Sequence, residues 1–179
     1  MDPVVHADEI VRLGGAELAA EVGAVSASHL LRASDEGLKA MASAGVTAQL
    51  LPGTIFSLMQ KEYPKARAMV DMGVPIALST DFNPNCWTES MQFVQTLSCY
   101  CMGLRPAEAL AASTINSAHS IGMAEKVGSL EVGKQADIVI LSVPNVNSIP
   151  YRFGTNHVDT VVKDGRVVLE GGALLPREG

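Results

Sequence analysis

The sequence predicts an α/β fold, half of a closed (β/α)8 barrel followed by a small β-rich unit, and three observations carry that expectation. Over the first two thirds, short apolar runs alternate with helical patterns at intervals of about 20–30 residues, the rhythm of βα units on a parallel sheet. Four such units can be read, whereas a closed barrel takes eight and about 250 residues; this chain has 179. From Val127 the text changes to VGSLEVGKQADIVIL and then HVDTVVKDGRVVLEGG, which reads as a separate small sheet. The expected division is therefore 1–125 for the half barrel and 126–179 for the β unit.

The elements follow in order. Val4–His6 is a strand end, with a helix after it near Gly15–Val22. Ala24–Ala27 leads a second strand that ends at His29. The next helix has Ser34 as its N-cap and Asp35 and Glu36 in the first turn, where unpaired amides and the positive dipole end favour them. Leu38, Met41 and Ala42 form its apolar stripe, and Gly45 stands where a left-handed residue stops a helix. Val46–Leu51 is the third strand, closed by Pro52-Gly53. Pro64 can open the next helix, because a first-turn position needs no N–H; Ala66, Met69 and Val70 line its inner face and Gly73 ends it. Pro75–Thr80 is the fourth strand, running into Asp81. Helices are expected over Thr88–Met102 and Pro106–Ile121, the second interrupted. In the last third, Asp164-Gly165 closes a hairpin, since both central positions of the preferred two-residue turn need positive φ.

Composition narrows the function classes. Apolar residues make up 47% and charged residues 18%, and thirteen Lys and Arg stand against nineteen Asp and Glu, for a formal charge of −6. That balance offers nothing to a nucleic acid or an anionic membrane. The amino-terminal residues show no secretory pattern, and no run of about 18 apolar residues exists to span a bilayer. Cys86, Cys99 and Cys101 make no even framework, so free thiols and a cytoplasmic setting are expected. Cys99 and Cys101 lie in an apolar helical stretch and are read as core thiols.

Catalytic groups of a barrel gather at the carboxyl ends of its strands. Here the first strand ends in His6, Asp8 and Glu9, the second in His29, and the fourth in Asp81 followed by Phe82-Asn83-Pro84-Asn85-Cys86. Three of four strands thus deliver an imidazole or a carboxylate to one rim. His6 offers a neutral nitrogen and Asp81 a hard oxygen, the donors of a hydrolytic Zn or Fe site. Each has an ordinary structural reading when taken alone: Asp81 before Asn-Pro as a turn former, His29 as a hydrogen-bonded histidine, Glu9 as a helix-terminal charge. His119, inside a helical pattern, and His157, at a strand start, are assigned no chemistry.

The stretches VVHADEI, Ser28–Leu30, LLPGT at Leu50–Thr54 and ALSTDFNPN at Ala77–Asn85 resemble the imidazolonepropionases of the amidohydrolase superfamily. TINSA at Thr114–Ala118 and GSLEVGKQADIVI at Gly128–Ile140 resemble the same proteins, the latter being shared by many amidohydrolases. The resemblance runs from His6 to about Gly171. It implies a metal-dependent-hydrolase (β/α)8 TIM barrel with a small β-sandwich built from both chain ends, residues 1–125 supplying strands five to eight. The implied reaction is hydrolysis of 4-imidazolone-5-propanoate to N-formimino-L-glutamate in histidine degradation, with one Zn2+ or Fe3+ ion. By the same resemblance His6 and Asp81 are metal ligands, Asp81, His29 and Glu9 act in catalysis, and Glu9, His29 and Asn83 contact substrate. Asn85 and Cys86 occupy positions expected to touch substrate through backbone or a small hydroxyl, where many relatives carry Gly and Ser.

The family's His-x-His pair and first four strands have no counterpart in this sequence. Two ligands of four predict weak metal binding and an inactive isolated chain. Two bare strand edges and an uncovered apolar helix face predict self-association into a homo-oligomer, or a partner that carries the other half. The alternatives are a half-barrel assembly module without catalysis, and an amidohydrolase acting on another cyclic amide.

Overall fold

The computed structural model describes residues 3–176; the outermost residues of both expected units, 1–2 and 177–179, lie outside them. Its first part runs β1 (Val4–Ala7), α1 (Gly15–Glu21), β2 (Ser26–His29), α2 (Asp35–Ala44), β3 (Thr47–Leu50), α3 (Pro52–Ser57), α4 (Ala66–Asp71), β4 (Ile76–Leu78), α5 (Met91–Met102), α6 (Pro106–Ala112) and α7 (Ile115–Ser120). The four strands form one parallel sheet in the order β1-β2-β3-β4, half the strand complement of a barrel.

The helix signals act as their chemistry requires. The Ser34 hydroxyl accepts the Gly37 N–H at 2.9 Å and donates to Glu17 at 2.6 Å, which ties the start of α2 to α1. Gly45 ends α2 at φ 72°. The Pro106–Ile121 stretch is broken at residues 113–114, as expected. Two boundaries differ. The expected helix from Thr88 begins at Met91, because Ser90 is the residue that caps it, accepting the Phe93 N–H. Pro52-Gly53 closes β3 but also opens α3, with Pro52 in its first turn.

Strand register assigns the two faces of the sheet. Ala27, Ala48 and Ile76 pair in one row, with Leu50 opposite Leu78 on the same face, because alternate residues share a face. Helices cover that face: Ala27, Ala48 and Leu50 are fully buried, and Leu38, Met41 and Met69 pack into the same cluster. His6, Ser28, Gln49 and Ala77 form the next row, on the opposite face, which would be the inside of a barrel.

Helix α7 crosses the amino ends of the strands on that inner side. Ser26 donates to the Ser120 carbonyl at 3.0 Å, and Thr47 Oγ1 lies 3.4 Å from His119 Nδ1. The same helix corrects the expectation of two bare sheet edges. Asn116 Nδ2 donates to the Ile76 carbonyl and Ser117 Oγ to the Leu78 carbonyl, each at 2.8 Å, so side chains occupy the outward carbonyls of β4. Strand β1 stays an edge, with Val4 half exposed.

The second part is an antiparallel sheet of β5 (Ile138–Leu141), β6 (Val158–Lys163), β7 (Arg166–Glu170) and β8 (Ala173–Leu174) in sequence order, with α8 (Ser148–Tyr151) between β5 and β6. Asp164 and Gly165 turn β6 into β7 at φ 51° and 77°. Gln92 of α5 joins the two parts, donating to Asn156 at 3.0 Å and accepting the His157 N–H at 3.1 Å.

All three cysteines are free. Of the two expected core thiols, Cys99 is half-buried and Cys101 is exposed: residues two apart on a helix point in different directions, so one apolar face cannot hold both. Among the described residues no helix is long and apolar enough to cross a membrane.

Candidate metal and catalytic site at the strand ends

His6 stands exposed near the end of β1, and His29 is the buried last residue of β2. Register pairs His29 with Ala7, one residue beyond the Ser28 that faces His6, but the His29 backbone leaves the strand conformation at φ 74° and the two rings meet. His29 Nε2 is 3.1 Å from His6 Nδ1, and the ring centroids are 5.1 Å apart. Glu9, in the turn after β1, places Oε2 3.7 Å from His29 Nε2. The three ligand atoms all lie within 4.8 Å of one another. A cleft of about 370 Å³ opens beside Glu9, lined also by Ile10, Leu31, Arg32 and Lys61.

Burial pushes the His29 imidazole below its ordinary value of 6.5; the Glu9 and Asp81 carboxylates oppose the shift and His6 adds to it. At neutral pH His29 is therefore an uncharged ring, able to donate from one nitrogen and accept at the other. Asp81 is not part of the close cluster of His6, Glu9 and His29.

Two adjacent carboxylates at the end of β1 separate in role. Asp8 is turned inward and accepts the N–H groups of Leu13, Gly15 and Ala16 at 2.8, 3.1 and 3.0 Å. Burial works to raise its pKa, but these amide donors outweigh it and hold the carboxyl below its usual value. Asp8 thus fixes the loop that presents Glu9. Its place in the rim list of the sequence is that of a structural support.

Asp81 follows β4, half-buried, at φ 52°. Its Oδ2 accepts a hydrogen bond from the Thr54 hydroxyl. The loop beyond it is a tight turn: Asn83 Nδ2 donates to the Asp81 carbonyl at 2.6 Å, the Asn85 N–H donates to Asn83 Oδ1 at 2.8 Å, and the Asn83 and Cys86 backbones pair. These contacts bear out the turn-forming reading of Asp81 ahead of Asn83-Pro84. Cys86 is buried and its thiol reaches the Thr80 carbonyl at 3.3 Å, so its side chain faces the protein. Sequence reasoning missed Thr54, although the helix-opening Pro52 in LLPGT puts it in the first turn of a helix directly after β3.

His29, Leu30, Asp8 and Asp81 all have positive φ without being glycine. Such backbones cost of order 1 kcal/mol each and persist where surrounding structure enforces them, often at functional sites. The donor set suits a borderline cation. Imidazole nitrogen and carboxylate oxygen are the ligands Zn and Fe prefer. The 3.1 and 3.7 Å separations among His6, His29 and Glu9 bring one expected metal donor, His6, together with the two residues expected at the substrate; Asp81, the other expected donor, is not one of that cluster.

Residues 54–168 match the model of the amidohydrolase family. The chain belongs to that family. The imidazolonepropionase of Alkaliphilus metalliredigens is 55% identical over 172 residues, 96% of this chain and 41% of the relative. That of Geobacillus kaustophilus is 58% identical over 175 residues, 97% and 41%. This amidohydrolase chain therefore spans about 41% of the length of these curated relatives. Among solved structures, a zinc-bound adenosine deaminase from Xanthomonas campestris superposes with a TM-score of 0.85 over 99% of this chain and 47% of that one. At 20% identity that likeness shows the fold, a (β/α)8 amidohydrolase architecture of which this chain is a part.

Proposed function

We propose that this chain carries the catalytic rim of an imidazolonepropionase. The reaction is hydrolysis of the cyclic amide C–N bond of 4-imidazolone-5-propanoate to N-formimino-L-glutamate, in histidine degradation in the cytoplasm. The observation that carries the proposal is the meeting of His6, Glu9 and His29 at one rim, on the parallel sheet whose fourth strand leads into Asp81. The names of relatives at 55% and 58% identity support the choice of substrate.

His6 and Asp81 would hold one Zn2+ or Fe3+ ion, with two further ligands from outside this chain. When bound, that ion lowers the pKa of water and polarises the carbonyl. The chain's own residues supply the rest. Asp81 takes the proton from the attacking water and returns it to the leaving nitrogen, base and then acid in one carboxylate. His29, kept neutral by burial, donates to the substrate carbonyl oxygen as charge develops there. Glu9 accepts the ring N–H and fixes the pose. The turn at Asn83, Asn85 and the Cys86 backbone borders the substrate from the β4 side. The remaining strands would pair along the exposed edge of β1, supplied by a partner or by further chain.

The test is Asp81→Asn in a chain of the relatives' full length that carries this sequence. Turnover is expected to fall by at least about 1,000-fold, with the fold unchanged by circular dichroism; normal turnover would sink the proposal. The 179-residue chain alone is expected to be metal-poor and inactive, and one tightly held ion per chain in metal analysis would contradict that.

A further inference from the structure

We infer that Thr54 is a positioning residue for Asp81, holding its carboxylate in the orientation that metal binding needs. The inference rests on the reading of Asp81 given above and extends it to a residue on a different element.

A carboxylate next to a metal site is free to rotate about its terminal torsion, which is broad and weakly staggered. The local contact at Asp81, the Asn83 amide donating to its carbonyl, holds the backbone and leaves the carboxylate to other elements. Restraint comes from α3. The Thr54 hydroxyl donates to Asp81 Oδ2, and Thr54 itself is buried, so its own rotamer is held by packing. With Oδ2 taken, Oδ1 is the oxygen left for an ion.

The hydroxyl is delivered by a docking contact that has no slack. Pro52 starts α3 immediately after β3. At Gly53 an added Cβ would sit 3.1 Å from Cys86 Sγ, 3.3 Å from Thr88 Cγ2 and 3.5 Å from the Thr80 carbonyl. Glycine thus lets the first turn of α3 lie directly on the loop that carries Asp81. From the other side, the Cys86 thiol bonds the Thr80 carbonyl, and the Asn83–Cys86 backbone pair closes the loop. Gly53, Thr54, Thr80 and Cys86 form one clamp, and it makes a polar contact with the Asp81 carboxylate through the Thr54 hydroxyl. This accounts for the PGT of LLPGT and gives Cys86 a role in the clamp. Partners that orient a ligand are worth about 10–100-fold in metal affinity or activity.

Three variants test this in a chain of the relatives' full length: Thr54→Val, which keeps the shape and removes the hydroxyl, Thr54→Ala, which removes it without new branching, and Thr54→Ser, which retains it. Zinc affinity by chelator competition and the separate kcat and KM are the readouts. Val and Ala are expected to weaken zinc binding and lower kcat by about 10–100-fold, with KM within about twofold, while Ser stays within about threefold of the parent. Retention of parental zinc affinity and kcat by either Val or Ala overturns the inference. Equal losses in Ser and Val also overturn it, since the hydroxyl would then not be what matters. Asp81→Asn run in parallel separates the two levels: if it too keeps its zinc and its turnover, the reading of Asp81 fails; if it loses them while Thr54→Val does not, only the role of Thr54 fails.

Discussion

In the parallel sheet Ala27, Ala48 and Leu50 are fully shielded from solvent, whereas in the antiparallel sheet Val139 keeps 56% of its surface and Ile140 51%. Both sheets are rich in β-branched or small apolar residues. The difference lies in what covers them. Each parallel strand is followed by a helix that returns across the sheet, so one face is covered as a consequence of chain connectivity. The β6–β7 and β7–β8 hairpins return directly to the next strand and bring no covering layer, and the connection from β5 to β6 lays α8 against α5 instead. Among the described residues no strand position of the antiparallel sheet is fully buried. An apolar sequence pattern therefore specifies a sheet, but only a second layer makes that sheet a core.

The largest test of this contrast is truncation of matched apolar side chains. Ile76→Ala, in β4 with 4% of its surface exposed, is expected to cost about 3 kcal/mol in urea unfolding, and Ile140→Ala, in β5 with 51% exposed, less than about 1 kcal/mol. Equal costs would break the comparison. A smaller effect comes from the loop that connects the first sheet to its rim. Asp8→Ala leaves three backbone N–H groups without their acceptor and is expected to destabilise by about 2 kcal/mol, with amide exchange at Leu13 and Ala16 rising more than elsewhere. An unchanged exchange pattern would remove Asp8 from its structural role.

The smallest effect belongs to the second sheet. Asp137 accepts the Asp164 N–H at 2.9 Å and pairs with Lys163, and these partners bring its pKa from 3.8 down to about 2. A carboxylate with a lowered folded value contributes stability that is present above its unfolded pKa and lost as pH falls through the folded one. The unfolding midpoints of the parent and Asp137→Asn should therefore differ above pH ~4 and converge towards pH ~2. A difference independent of pH would show that the hairpin turn at Asp164-Gly165 does not depend on the charge.

Local signals were written plainly in the sequence. Ser34 and Gly45 bound α2 where capping chemistry says they should, Asp164-Gly165 makes the hairpin turn, and the alternation of strands and helices announces half a barrel. His6, His29 and Asp81 are legible as rim residues because a strand's carboxyl end is a position in sequence. What the sequence left open depends on partners far along the chain. Asp8 and Glu9 are chemically alike and adjacent, and only the amides of Leu13, Gly15 and Ala16 decide that one supports the loop while the other faces His29. Cys86 turns inward because Gly53 makes room for it. The β4 edge is covered because Asn116 and Ser117 reach back 40 and 39 residues to its carbonyls, and Asp81 is held by Thr54, 27 residues away. Capping, turn and periodicity preferences act over a few neighbouring residues, so the sequence alone determines the elements and which residues end them. Which of those residues touch, and which face inward, is decided by packing between elements, whose distances the linear text does not contain.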